Sequence, residues 1–373
     1  MRSFSFIALA VATLSLAACA RKDILPPGDP FADKPWAIDE TLPVPIRFAK
    51  GDLFGIETKG TETALTSLAG KKVAITTLTS FAEVTSATPD KKAMLFNGDI
   101  ATVAAGGNVS FDAGNHYYPM PGQEETARNY SFYAYRITTD GTDAKPLIGE
   151  SGRLNDYIDF DLNPETNNVD VLWAKAEATD FQGKSGFNAR YIRAVAAAGE
   201  EADYYPKFAF SHSAAAIRFK VKSDGTEQSE YQQIAGDVCD FTIDYITVGG
   251  IYNNVRLSLA TGALTKANSS DVAAAFRQSP AAAVVPAPDP VNFGNDLFIV
   301  PGSEPKTISV HFTDKEGTSG ATLSSNLLVP SGGYVAGTCY TYTIVIASPQ
   351  QVTMTASLDE WEQNDMGEIS VFE

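Results

Sequence analysis

The sequence predicts an all-β protein built as two β-sandwich domains, and three observations carry that expectation. Short runs that alternate apolar and polar residues recur along the chain beyond residue 46. Turn residues separate these runs at close spacing, and helical periodicity is scarce. Many short strands joined by turns read as sandwiches, because each sheet must bury its apolar face against another. About 330 residues lie in this part of the chain, and lengths near 150 per domain make two cores the default.

The strand signals run in order. Lys72–Leu78 alternates through Val73, Ile75 and Thr77, and Asn129–Ile137 (NYSFYAYRI) is rich in aromatic strand formers. Val169–Ala174 follows. Lys207–Ser223 sets Ile217, Phe219 and Val221 on one face against Arg218, Lys220 and Lys222 on the other. Asp240–Val248, Asn254–Leu259, Leu297–Val300, Thr307–Phe312 and Tyr340–Ala347 continue the series. Turn signals fall between them at Asp140-Gly141, Asp224-Gly225, Thr261-Gly262, Pro301-Gly302 and Gly332-Gly333. Ser269–Arg277 is expected to form a short helix. The composition changes at Ala194–Ala202 (AVAAAGEEA), which places a domain boundary there and gives domains of 46–200 and 201–373. Tyr-Tyr-Pro occurs at Tyr117–Pro119 and again at Tyr204–Pro206, a hint of related positions in two halves.

The N-terminus carries a different signal. Arg2 precedes a mostly apolar stretch from Phe4 to Ala18 that ends in Leu16-Ala17-Ala18-Cys19. The run is short for a membrane span and has the form of a signal peptide, residues 1–18. A cysteine straight after small residues is what lipoprotein maturation requires, since its thiol takes the diacylglyceryl group. Cys19 is therefore the expected lipidation site, and several acyl chains, at about 0.8 kcal/mol per buried methylene, would anchor the protein firmly. Residues 19–45 read as a tether. Six prolines (Pro26, Pro27, Pro30, Pro35, Pro43 and Pro45) break helices and remove ladder donors, although Trp36 or Ile38 has the apolar surface to pack on the domain.

Once residues 1–18 are removed, 27 basic and 45 acidic residues remain, a formal charge of −18. That balance argues against nucleic acid or an anionic lipid surface as the main partner. Cys239 and Cys339 are the thiols left after lipidation. They would either form a disulfide, worth roughly 4–5 kcal/mol in the chain-entropy model, or stay as buried free thiols in strands. No zinc-binding spacing occurs, and no cofactor or metal is expected.

Enzymatic signatures are absent: there is no G-x-S-x-G elbow, no H-E-x-x-H, no phosphate-binding loop and no dinucleotide fingerprint. The three histidines, His116, His212 and His311, stand in separate segments. His212 is expected to be a satisfied structural histidine near a strand. His116, before Tyr117-Tyr118, suits a turn packed on a core better than a ligand platform. Asp156, Asp159 and Asp161 read as solvated loop charge, and Trp173 and Trp361 as core residues. Opposed carboxylates of glycoside hydrolysis would need a spatial separation that sequence does not display.

Several segments together resemble the fimbrillin family of Bacteroides-type bacteria. Asn115–Ile137 (NHYYPMPGQEETARNYSFYAYRI) is similar to that family's Tyr-Tyr-Pro turn before a Phe-x-Ala-Tyr strand. Asp170–Lys175 (DVLWAK) and Phe208–Val221 (FAFSHSAAAIRFKV) resemble its aspartate-led strand, Phe-x-His and apolar strand. Gly337–Ile346 (GTCYTYTIVI), with Val352 to Trp361, resembles its closing strand and tryptophan. The resemblance implies transthyretin-like topology in both sandwiches and a role as a pilus-subunit precursor at the outer membrane. In such systems an arginine- or lysine-specific protease removes the first strand, and a neighbouring subunit donates a strand to the exposed groove. On this chain the candidate strand is Val44–Phe48, cut after Arg47 to leave Phe48 as the new N-terminus. Lys59 is the rival site. Gly367–Phe372 (GEISVF) would be either the donor or the completion of its own sheet.

The readings separate on sequence features. A cleavable first strand and a donor terminus mark a fimbrial subunit whose partners are other subunits, joined by β-strand addition. Exposed aromatics beside carboxylates would mark a non-polymerising surface lipoprotein that binds host or bacterial surface ligands. Two carboxyl groups across a cleft would mark a hydrolase.

Overall fold

The computed structural model describes residues 34–49, 68–86, 90, 93–105, 107–119, 128–138, 154–176, 186–199, 205–223, 241–280, 289–314, 320–348, 351–359 and 368–369. The protein is all-β, as the alternating runs predict.

The first sheet has six strands in the order β3-β2-β1-β4-β6-β7, with every neighbour antiparallel. These are β1 (Lys72–Leu78), β2 (Met94–Val103), β3 (Val109–Phe111), β4 (Ser131–Arg136), β6 (Leu172–Ala176) and β7 (Ser211–His212). Val73, Ile75, Phe132 and Ala134 point from it into an aromatic-rich core. Two helices attend this part: α1 (Phe81–Val84) and α2 (Ala189–Ala198). Asn188 caps α2 by accepting the Tyr191 N–H at 3.0 Å, and Gly199 ends it in the left-handed conformation, φ 80°. Its buried face carries Tyr191, Ile192, Val195 and Ala196 and, unexpectedly, Arg193.

The second half is a sandwich. One sheet runs β12 (Ala274–Gln278), β9 (Phe241–Ile251), β14 (Lys306–Asp314) and β15 (Gly320–Leu327). The other runs β13 (Val291–Ile299), β8 (Ala215–Ser223), β16 (Cys339–Ser348), β17 (Gln351–Asp359) and β18 (Glu368–Ile369). Ile217, Phe219 and Val221 of β8 face Ile246 and Val248 of β9 and Ile308 and Val310 of β14 in one core. The strand pairs are antiparallel except β8–β16, where Ala216–Ser223 pairs in parallel with Cys339–Ile346. Arg218, on the opposite face of β8, is buried too. An irregularity in β13 between Phe293 and Leu297 brings Asp296 beside it, and the guanidinium donates twice to the carboxylate at 2.7 Å.

A three-stranded sheet links the halves. β5 (Tyr157–Asp161), from the first half, pairs with β10 (Asn254–Ser258), which pairs with β11 (Leu264–Lys266). Tyr135, Ile158, Leu257 and Phe298 share one cluster there, so the two halves are packed on each other. The boundary expected at 200/201 falls before Phe208 and Phe210, which are buried in the first core.

Three expectations need correction. Ser269–Arg277 is no helix: Ala274–Gln278 is strand β12, with Phe276 and Gln278 buried and Arg277 exposed. Its alanines favour a helix locally, but the edge of β9 offers ladder partners that override so weak a propensity. Asp159 and Asp161 lie in a strand and not in a loop, and Asp159 accepts two bonds from Arg256 at 2.7 and 2.8 Å. Third, the segment from Lys34 to Pro45 is not a free tether. Trp36 and Ala37, in a 3-10 turn (Pro35–Ala37), and then Val44 are buried in the first core, while Ile38 stays exposed.

Candidate functional site

The segment 34–49 is where the residues singled out for processing sit, and its sequence explains how it is held. From Val44 onward the chain is extended and alternates. Val44, Ile46 and Phe48 are buried, with relative exposures of 1, 6 and 9%, whereas Arg47 is exposed. Backbone bonds fasten it along residues 116–118: the Tyr118 N–H donates to the Val44 carbonyl at 3.0 Å and the Ile46 N–H to the His116 carbonyl at 2.8 Å. Pro45 faces Tyr117 in this antiparallel bridge. That position makes no ladder bond of its own, so the missing proline N–H costs nothing. Farther on, the Ala49 N–H donates to the Pro206 carbonyl at 3.0 Å. Tyr117 and Pro206, one from each Tyr-Tyr-Pro tripeptide, thus lie at the edges of the groove that receives this segment.

The groove is aromatic. The Phe48 ring lies 5.0 Å from Phe208, 5.6 Å edge-on from Phe132 and 5.7 Å from Phe111. His116 is packed between Phe96 and Phe111, with centroids at 4.5 and 4.2 Å, and its Nε2 is 3.0 Å from an Asp99 carboxylate oxygen. It is a packed turn residue, half-buried against these two rings. Each buried aliphatic side chain contributes about 1.5–3 kcal/mol, so Val44, Ile46 and Trp36 together hold the segment firmly.

Arg193 completes the site. Its guanidinium reaches out of α2 and donates to the carbonyls of Trp36, Asp39, Glu40 and Leu42, at 2.6 Å to Asp39 and 3.4 Å to Glu40. Asp39 shapes the turn so that these carbonyls converge, accepting from the Thr41 N–H at 2.9 Å and the Thr41 hydroxyl at 2.6 Å. Burial pulls the Arg193 pKa down, while the charges of Glu40 and Asp39 pull it up. The group starts so far above neutrality that it remains charged. Sequence reading missed this residue. The signal was present: an arginine on the apolar face of Ala189–Ala198, visible only once that stretch is read as a helix.

The arrangement presents one basic side chain to solvent on a strand whose flanking residues are core. Hydrolysis after Arg47 would cut the covalent link between the docked segment 34–47, which buries Trp36, Ala37, Val44 and Ile46, and the rest of the domain. Lys59 and Cys19 lie outside the described residues, as does Cys239; Cys339 is buried in β16. At the C-terminus, Glu368 and Ile369 pair with Thr355 and Met354 of β17 at the edge of the sheet, and 370–373 lie outside the described residues.

The remaining singled-out residues are structural. His212 Nδ1 is 2.8 Å from Asp170 Oδ1. The Trp173 indole N–H donates to the Leu259 carbonyl at 2.9 Å, and His311 stacks on Tyr245 at 3.9 Å. Trp361 lies outside the described residues. Among the described residues no group of three or more His, Cys, Asp or Glu side chains is placed to hold a metal.

Comparison with known proteins agrees with this architecture. No curated protein matches the sequence. A solved structure of a candidate cell adhesion protein from Bacteroides uniformis is 17% identical with a TM-score of 0.51, covering 87% of this chain and 100% of that one. A candidate cell adhesion protein from Bacteroides ovatus is 12% identical, with a TM-score of 0.44 over 89% of this chain and 99% of that one. A fimbrial protein from the same species is 13% identical, with a TM-score of 0.29 over 82% of this chain and 51% of that one. The first shows the shared fold. The model of the fimbrillin-like family matches residues 58–361, most of the sequence, and the chain belongs to that family.

Proposed function

We propose that this chain is the lipid-anchored precursor of a fimbrial subunit, released for assembly by a cut after Arg47. The observation that carries the reading is the exposure of Arg47 between buried Ile46 and Phe48 on an extended segment docked in the groove. In this scheme the chain is cut before Cys19, lipidated there and displayed at the outer membrane, where removal of residues up to Arg47 vacates the places of Trp36, Val44 and Ile46. The vacated groove has an unpaired edge at His116 and Tyr118 and an apolar floor. It then accepts a strand from another subunit, which restores main-chain bonds and fills the pockets with alternate side chains. The C-terminal strand is the candidate donor, since Glu368–Ile369 occupies a sheet edge.

The test is exposure of the purified mature protein to an arginine-specific protease, followed by N-terminal sequencing and size-exclusion chromatography. A new N-terminus at Phe48 together with higher oligomers is the expected result. Cutting at Lys59 by a lysine-specific protease, with the same oligomers, would move the site while keeping the mechanism. A protein that stays uncut and monomeric would point instead to a non-polymerising surface lipoprotein that binds glycan or host protein.

A further inference from the structure

Away from the N-terminal groove, a cavity of about 320 Å³ lies where β9 and β11 meet the β13–β14 connection. Ile251, Ile299, Val300 and Pro301 give it an apolar side, while Tyr252, Thr265, Ser303 and Glu304 give it polar groups. Lys306 also lines it and is 3% exposed. The Lys306 ammonium has three N–H donors but donates to one acceptor among the described residues, the Glu304 carbonyl at 3.1 Å. The Tyr334 ring face is 5.6 Å away, and among the described residues no carboxylate lies within 4 Å of it. The nearby Glu304 carboxylate instead approaches Lys266, at 4.0 Å, and Lys266 rests over the Tyr252 ring at 4.9 Å.

A buried cation with unmet donors is costly, and proteins ordinarily supply a counter-charge. Here the nearby Glu304 carboxylate offsets only part of that cost, and the cation borders a space large enough for a single sugar ring. Burial lowers the Lys306 pKa to about 8, which leaves the amine mostly protonated at neutral pH. The remaining lining chooses the ligand class. Hydroxyls and a carboxylate at Thr265, Ser303 and Glu304 suit sugar hydroxyls, and the Ile299–Pro301 wall suits the C–H face of a ring.

We propose that this cavity binds a sugar bearing a carboxylate, of the hexuronate or sialate kind, with Lys306 as the counter-charge for the acid group. The site is independent of processing at Arg47, so its success or failure leaves the strand-exchange reading untouched. The experiment is saturation-transfer NMR and calorimetry on the mature chain with glucuronate, N-acetylneuraminate, glucose, acetate and an acidic tripeptide. Binding of an acidic sugar at least tenfold tighter than glucose or acetate, weakened at least tenfold in Lys306→Met, is the expected result. A second measurement needs no variant: saturating acidic sugar should slow acetylation of Lys306 by at least threefold and leave exposed Lys71 unchanged. Equal binding by glucose, tighter binding by the tripeptide, no binding at all, or an undiminished affinity in a folded Lys306→Met variant would each overturn the assignment.

Discussion

Replacing Arg193 with methionine keeps most of the side-chain volume on α2 and removes every bond to the carbonyls of Trp36, Asp39, Glu40 and Leu42. Hydrogen bonds to a charged donor contribute about 1.5–3 kcal/mol each, but they do not add, and the freed carbonyls of a surface segment regain water. A local loss of about 2 kcal/mol is therefore expected, confined to residues 34–49. Proteolysis under native conditions follows the population of the opened form when reclosing is fast. The same 2 kcal/mol becomes roughly a 30-fold faster cut after Arg47. The assay is the initial rate of cleavage by an arginine-specific protease, beside a urea denaturation curve of the whole chain. Arg193→Lys, which keeps a charge but not the fork, should fall between the two. An unchanged cleavage rate in a folded Arg193→Met protein would refute the reasoning. So would a rise in cutting spread over many basic residues, because that would mean general loosening of the domain.

Phe48→Ala empties the space among Phe111, Phe132 and Phe208 and should cost about 3–5 kcal/mol in urea denaturation. Asp296→Ala removes the carboxylate that accepts twice from the buried Arg218 guanidinium and should lower stability by about 3–5 kcal/mol, whereas replacing both with apolar residues should recover most of the loss. Gly262 has φ +72°, and a Cβ there would sit 2.6 Å from Trp173 ring atoms, so Gly262→Ala should cost about 1–3 kcal/mol and shift tryptophan fluorescence. Lys306 gives a pH signature, since its folded pKa of about 8 lies below the ordinary 10.5. Below pH 8 the amine is charged in both states and the folded chain bears the full penalty, at most about 3 kcal/mol. Between pH 8 and 10.5 the unfolded chain holds more protons, so this contribution to stability rises with pH. Lys306→Met should therefore exceed the wild type most at pH 7, with the gap narrowing from pH 8 upward and closing only above about pH 10.5 in denaturation experiments.

Much of the strand framework was legible in the residues. The alternation of Lys72–Leu78 marks β1 with its observed limits, and Ile217, Phe219 and Val221 mark the buried face of β8. What escaped were features decided by distant partners. Tyr157–Asp161 carries acidic residues that argue for a loop until Arg256, on a strand far along the chain, supplies the counter-charge for Asp159. The Pro-rich segment contains few apolar residues, but they are placed where one face of an extended chain meets the groove. Arg47 was identifiable as a basic residue within a strand-like run. That it projects outward while its neighbours point in depends on the His116 and Tyr118 backbone, which no local pattern reveals. Arg193 is marked as an arginine on the apolar face of Ala189–Ala198, but what it binds is not, because its acceptors are carbonyls, and carbonyls leave no mark in a sequence.

The parallel pairing of β8 with β16 bears on how the chain comes to be folded at all. Ala216 and Cys339 are neighbours in the sheet, yet roughly 120 residues of chain separate them. Antiparallel hairpins form early because their loops are short, whereas a pairing this remote waits for a costly closure. A chain emerging from its N-terminus onward can assemble the first six-stranded sheet while β8 still presents one open side. The slow kinetic phase of refolding should accordingly belong to the arrival of β16, and truncation before Cys339 should leave β8 as an aggregation-prone template in a chain whose first core is already closed.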